Sequence, residues 1–320
     1  MPLLAIDQPE RLEALLSKAE PHIRKAFLNA VTTIKDTHTL KQMEELLAAG
    51  RGDEAVELAA AAGAIRVADG YAAVFVMAGN DGAQFLEDTL DVVMGFDVVN
   101  DRAVNIMKQE RLRLIQGFTA EQRAATRIAL VDGIERGLNP VATARNFRDS
   151  IGLTAKQQQA VNNYRRLLET RSSGALQRHL RDKRFDRTVE RAIDSGENLG
   201  KAQIDRMVSR YREKYVKYRA EVIGRTEALR AVHQGNYEAY QQAIESGDLD
   251  PHQLMRTWVD AHDSRVRHTH RLLNGVKRGM EETFPAQGGP LRFPGDPRGP
   301  ASETIQCRCV LSTRIESLEE

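Results

Sequence analysis

The stretch 201–245, KAQIDRMVSRYREKYVKYRAEVIGRTEALRAVHQGNYEAYQQAIE, decides the fold. Within it Ile204, Val208, Tyr211, Tyr215, Tyr218, Val222 and Leu229 are spaced 4, 3, 4, 3, 4 and 7. That is a 3.5-residue repeat, the seam of a helix lying along another helix. If continuous, the helix is ~65 Å long. Gly224 and Gly235 predict a break or kink in it. Arg225 stands where the seam calls for an apolar residue, and an arginine on such a face snorkels or takes a carboxylate. Glu227 lies ~200° further round the helix and cannot supply it, so Asp260 or Asp263 is the expected mate.

Upstream of this helix the chain reads as helical almost throughout. Leu12, Leu15, Leu16, Ile23 and Phe27 share one face of a helix over 8–34. The Ala-, Val- and Met-rich stretch 55–95 reads as a buried helical hairpin, punctuated by Gly79-Asn80-Asp81-Gly82. Residues 96–101 form a connector. Thr119 with Gln122 has the spacing of a capping box, predicting a helix start there and a run to about 136. Asn139 as N-cap with Pro140 behind it predicts the next helix, and Thr154 with Gln157 repeats the box for a third. Arg171 to Gly174 is a polar break.

After Gly247 the texture changes, with Gly, Pro and Asp frequent and helical periodicity lost. Residues 257–259 and 309–315 read as short strands, 265–273 as one short helix, and 285–300 as a long Gly/Pro loop. The fold class is therefore mainly α: a helical N-terminal region, 1–174, then a module over 175–320. That module comprises the long helix and a smaller α+β part with short antiparallel strands.

The formal charge is +1, from 46 basic and 45 acidic side chains. The balance hides a segregation: −8 over 1–100, +5 over 101–170, +7 over 171–235 and −3 over 236–320. Such a middle suits an anionic partner. Two cysteines separated by one residue exclude a disulfide framework. The opening MPLLAIDQPERLEALL lacks the basic n-region of a secretory signal, and no apolar run approaches the ~20 residues of a membrane span. A soluble chain in the cytoplasm, with no membrane partner, is expected.

Several constellations carry possible chemistry. His252, His262, His268 and His270 fall within nineteen residues, Asp260 and Asp263 lie among them, and Cys307-Arg308-Cys309 follows. A Cys-x-Cys on a strand puts both thiols on one face. His270, Cys307 and Cys309 are the candidate ligands of a zinc ion. The bland alternative is a small core in which the cysteines pack as minor apolar residues. A catalytic alternative is a metal-dependent nuclease or hydrolase centred on His268, His270 and Asp263. No HExxH, nucleophile elbow, phosphate loop or GxGxxG supports it, and no catalytic residue is assigned. Arg206, Arg210, Lys214 and Lys217 share one helix face, with Arg181, Lys183 and Arg184 upstream. This stripe suits nonspecific contact with a phosphate backbone; a solvated helix face is the better explanation from the stripe alone, and the positive regional charge narrows the difference.

Taken in order, Arg225-Thr226-Glu227, Trp258, Asp263-Ser264-Arg265-Val266-Arg267, His270, Leu273-Asn274-Gly275 and Cys307-Arg308-Cys309 form a pattern. It resembles the signature of the phage Mu F-like head morphogenesis (minor capsid) proteins. The motif residues are Arg225, Thr226, Glu227, Trp258, Asp263, Arg265, Arg267, Gly275 and Arg308, within a match over about 185–315. The resemblance implies a structural protein of a tailed bacteriophage rather than an enzyme. It implies a place inside the procapsid near the portal vertex, in the host cytoplasm during assembly and in the virion afterwards. The implied partners are the portal protein, capsid or scaffold protein, and double-stranded DNA bound nonspecifically, with a role in DNA packaging or ejection. Some relatives carry CxxC where this chain has Arg267 and His270; here only His270 of the two could ligate, one ligand short of a full tetrahedral set. No toxin domain is expected behind the module.

Overall fold

The computed structural model describes residues 8–35, 37–61, 64–90 and 92–316. The start of the segment read against a secretory signal, residues 1–7, lies outside the described residues. So do residues 317–320, behind which no toxin domain was expected. The described residues form α1 (Gln8–Ile34), α2 (Thr37–Ala48), α3 (Gly52–Ala61), α4 (Ala64–Leu90), α5 (Asp101–Glu135), α6 (Pro140–Ser150) and α7 (Ala155–Glu169). They continue with α8 (Asp186–Ser195), α9 (Lys201–Ser246), β1 (Leu254–Val259), α10 (His268–Arg271), β2 (Lys277–Gly279), α11 (Ala301–Thr304) and β3 (Val310–Ile315). The strands form one antiparallel sheet in the order β2-β1-β3. The fold is mainly α with a small C-terminal sheet, as the sequence predicts. No helix among the described residues is long and apolar enough to cross a membrane.

The chain divides into two compact units, neither contiguous in sequence. One draws on 1–26, 67–112 and 221–320, the other on 27–66 and 113–220. In the second unit Leu153, Val161, Tyr164, Leu168, Val189, Met207 and Tyr211 build a core, with Tyr164 and Tyr211 rings 4.4 Å apart. Two of the expected caps close helices there. Asn139 accepts from the Ala142 N–H ahead of α6, and Thr154 and Gln157 form a reciprocal box ahead of α7. The third does not. Helix α5 runs through Thr119 without a start. Its Gln122 is fully buried and accepts from the Gly152 N–H (2.9 Å) instead. A three-residue spacing says nothing about whether helix already precedes it, and here it does.

The break expected at 79–82 within the hairpin over 55–95 is also replaced by unbroken helix, since α4 spans that stretch. A Cβ on Gly79 would lie 2.4 Å from the Phe96 ring, and one on Gly82 would lie 2.7 Å from Asn236 Oδ1. These glycines admit close neighbours and make no turn. The same correction applies to α9, which is unbroken. A Cβ on Gly224 would meet the Glu20 carbonyl at 2.9 Å, and one on Gly235 the Phe75 carbonyl at 2.4 Å.

The seam on α9 holds at Ile204, Val208 and Tyr211, which are buried, and fades at Tyr218, which is 43% exposed. An α-helix drifts ~20° per heptad against a 3.5 repeat, so a straight helix carries its seventh-residue row off the contact. From Thr226 to Asn236 every residue is buried, so this part of the helix is enclosed on all sides. Arg225 is half-buried and pairs with Glu20 of α1 (3.1 Å), not with Asp260 or Asp263. The expected mates were chosen by proximity to the motif, and no signal in the sequence pointed to α1.

Candidate functional site

The site is built on the first unit's small sheet. Strand β1 alternates Leu254, Arg256 and Trp258 inward, all fully buried. Antiparallel β3 pairs Leu311 with Trp258 and brings the preceding segment, with Cys307 and Cys309, beside it. The single turn of α10 delivers His270 from the other side. The Trp258 ring stands edge-on to His270 (5.2 Å, 79°) and to Phe284 (5.2 Å).

His270, Cys307 and Cys309 meet there, all about 1% exposed. One ligand atom from each lies within 4.8 Å of the others. His270 Nδ1 is 3.4 Å from Cys307 Sγ and 3.5 Å from Cys309 Sγ. A tetrahedral zinc with bonds of about 2.0 Å to nitrogen and 2.3 Å to sulfur separates those atoms by about 3.5 Å, so the residues fit the ion. No fourth His, Cys, Asp or Glu atom joins the group among the described residues. On the other edge of the ring, His270 Nε2 is 2.8 Å from Glu303 Oε2, itself buried. Glu303 accepts from Thr269 Oγ1 (3.1 Å) and the Gly288 N–H (3.1 Å). The buried carboxylate sits behind the imidazole at ion-pair distance, although Nε2 lacks hydrogen-bond geometry to it.

The thiols titrate as a pair. The hydrogen bond from Cys309, helped by His270, holds the Cys307 thiol well below its ordinary range. The same shared hydrogen bond, with burial, pushes Cys309 far up. Ionising both thiols together is opposed by their mutual repulsion and burial, which a bound cation would offset.

The motif residues surround this cluster as braces. Thr226 Oγ1 accepts from the Gln306 N–H (3.0 Å), tying α9 to the residue before Cys307. Glu227 pairs with Arg230 (3.0 Å), whose Nε donates to the Gly295 carbonyl (3.2 Å). Asp263 holds Arg308 (2.8 Å) and Arg265 (3.2 Å), and Arg267 donates to the Ile305 carbonyl. Gly275, at φ +79°, donates to the Trp258 carbonyl (2.8 Å) in the turn that starts β2. Of the four clustered histidines only His270 reaches the site; His252, His262 and His268 are exposed. Asp263 is committed to the two arginines, so His268, His270 and Asp263 do not converge.

The basic stripe is less free than its charges suggest. Arg181 pairs with Asp186 (2.9 Å), Arg184 with Asp182 (2.6 Å) and Arg210 with Glu213 (2.8 Å), while Lys214 donates to the Arg181 carbonyl (2.9 Å). Lys183, Arg206 and Lys217 are exposed. The sequence reading missed Glu303 and Arg256. Arg256 was detectable, because a charged residue on the face shared by Leu254 and Trp258 has to be buried and satisfied. Its guanidinium donates to the carbonyls of Arg292 (2.6 Å) and Glu282 (2.6 Å) and to that of Gly279, under Tyr237 and Phe284.

Fold and site together define a mainly helical protein that ends in a small, braced Cys–His module. Over residues 183–312 the chain matches the family model of the Phage Mu protein F like proteins, which supports the family resemblance drawn from the motif residues. No curated protein and no solved structure gives a significant match.

Proposed function

We propose that the chain is a head morphogenesis protein of a tailed phage, a minor capsid component whose work is done by surfaces and not by an active site. The carrying observation is that the motif within the family match folds into braces around one buried Cys–His cluster. Every ligand atom in it belongs to a buried residue, and three protein ligands leave the fourth corner of a tetrahedral ion to another donor. Zinc is its proposed occupant, held by His270, Cys307 and Cys309 with Glu303 behind the ring. When bound, it supplies the charge that lets both thiols ionise. The finer reading places the protein in the procapsid near the portal, with the portal and capsid or scaffold proteins as partners. Lys183, Arg206 and Lys217 are its available contacts to DNA.

Co-expression with the cognate portal protein tests the assignment. The full chain is expected to be retained by portal or procapsid in a pull-down, and no retention by either overturns it. DNA contact has its own test. Charge removal at Arg206 and Lys217 should weaken duplex binding and reduce the slope of log K against log salt by about 0.9 per lost contact. The competing hydrolase reading predicts plasmid cleavage with divalent ions; the structural reading expects intact plasmid.

A further inference from the structure

Beside the motif braces, within the first unit, a cleft of about 500 Å³ opens between α1, the start of that unit's stretch of α9, and the loops holding Arg265 and Arg308. Its charged walls are Arg24, Arg225, Arg265 and Arg308 against Glu20 and Glu221, with Asp263 behind the last two arginines. Four guanidiniums against these three carboxylates leave the cleft with one net positive charge, which favours an anion. The carboxylates do not use up the donors. Each guanidinium carries five N–H groups. Arg225 spends one on Glu20, and Arg265 and Arg308 each spend one on Asp263's side chain. Arg24 is exposed and has no ion-pair partner among the described residues. Arg308 Nε is buried and finds no acceptor among them. Glu20 and Asp263 instead hold Arg225, Arg265 and Arg308 in place, so little side-chain entropy is left to lose when an anion arrives. Gly224 lets α1 approach and leaves that part of the wall bare.

We infer that this cleft is a binding site for a phosphate group, gripped by Arg24, Arg225, Arg265 and Arg308 through charge-assisted, forked hydrogen bonds. The phosphate is either one in a nucleic-acid backbone or one on a free nucleotide. The volume admits a nucleotide, and the walls offer no aromatic ring on which a base would stack. Recognition is therefore of the phosphate and not of the base. The site is separate from the α9 stripe and does not depend on the phage assignment.

The test is calorimetric titration of the full chain with pyrophosphate, then ATP, then a blunt 12-base-pair duplex. Pyrophosphate is expected to bind, and Arg24→Gln with Arg265→Gln should weaken it at least about tenfold. Both positions are exposed at the surface, and an unchanged melting temperature verifies the fold. Glu221→Gln removes an opposing charge and should tighten binding about two- to fivefold, a gain that damage to the fold cannot mimic. Arg206→Gln should leave pyrophosphate binding unchanged. Duplex competing with pyrophosphate identifies a backbone phosphate as the ligand; ATP competing while duplex does not identifies a free nucleotide. Absence of pyrophosphate binding, or binding indifferent to both sets of variants, overturns the inference.

Discussion

Glu303 Oε2 stands 2.8 Å from His270 Nε2, on the opposite edge of the ring from Cys307 and Cys309. The contact orients an imidazole whose working nitrogen faces two thiols. Carboxylates in this position govern metal affinity by a factor of about 10–100. Glu303→Gln is therefore expected to weaken zinc binding by about that factor in a chelator competition, with Cys307→Ser abolishing stoichiometric zinc altogether. Equal affinity in wild type and Glu303→Gln would remove the orienting role.

His233 gives the chain a built-in sensitivity to acid. Burial holds its imidazole down to about 4 against an ordinary 6.5. Its Nδ1 lies 3.2 Å from the Leu229 carbonyl, the donating nitrogen of a neutral ring, and Nε2 has no partner among the described residues. Below its ordinary value the unfolded chain takes up a proton that the folded chain refuses, so stability falls as the pH drops from 6.5 towards 4. The loss approaches about 3 kcal/mol at the lower end. Denaturant melts of His233→Phe between these pH values should show a shallower decline than wild type; parallel curves would refute it.

Gly235 and Gly117 are both helical, and substitution by alanine should move stability in opposite directions. At Gly235 the new methyl meets the Phe75 carbonyl at 2.4 Å and Ala78 Cβ at 2.8 Å. Neither backbone nor packed helix yields cheaply, so a loss of about 3 kcal/mol or more is expected. At Gly117 nothing lies within 4 Å. There the gain in helix propensity should stabilise by about 0.5–1 kcal/mol. Thermal melts of the two variants measure the contrast.

Arg256→Met should be among the most damaging single changes in the first unit. It leaves the carbonyls of Arg292 and Glu282 without the donor Arg256 supplies, and that of Gly279 with the Glu282 N–H alone, and it removes the guanidinium packed on Tyr237 and Phe284. Unpaired buried acceptors cost about 1–3 kcal/mol each, so unfolding at physiological temperature is the expected readout in circular dichroism.

Arg225→Ala is expected to cost little, about 0.5–1 kcal/mol, because its pair with Glu20 is one-third exposed on both sides. A loss of several kcal/mol would revive the buried-charge reading that the seam suggested.

Much of the fold was legible because local chemistry fixed it. The caps at Asn139 and Thr154, the helical pattern of α9 and the place of β1 and β3 follow from neighbouring residues, whereas the continuity of α9 and the start of β1 at Leu254 do not. The His270–Cys307–Cys309 cluster was legible in another way. Thiols and imidazole in one small module have few uses, and Cys-x-Cys fixes which side they face. What escaped was set by distant partners. Glycines at 79, 82, 224 and 235 read as punctuation because a sequence does not say which backbone will press against a missing side chain. Glu303 was unreadable for a similar reason: nothing in Ala301–Thr304 distinguishes a buried orienting carboxylate from a solvated one. Arg256 alone among the misses had a usable sign, its place in the inward alternation of β1.

The two bare positions on α9 have one more consequence. Gly224 admits α1 and Gly235 admits α4, eleven residues apart along one rod. A helix notched twice against two different neighbours is indexed like a key in a lock with two wards. Sliding it by a single turn would bring Ala220 or Ala228 to the first notch and Ala231 or Ala239 to the second, a methyl where neither neighbour leaves room for one. Within this unit, then, axial movement of α9 is opposed at two points, by α1 and by α4.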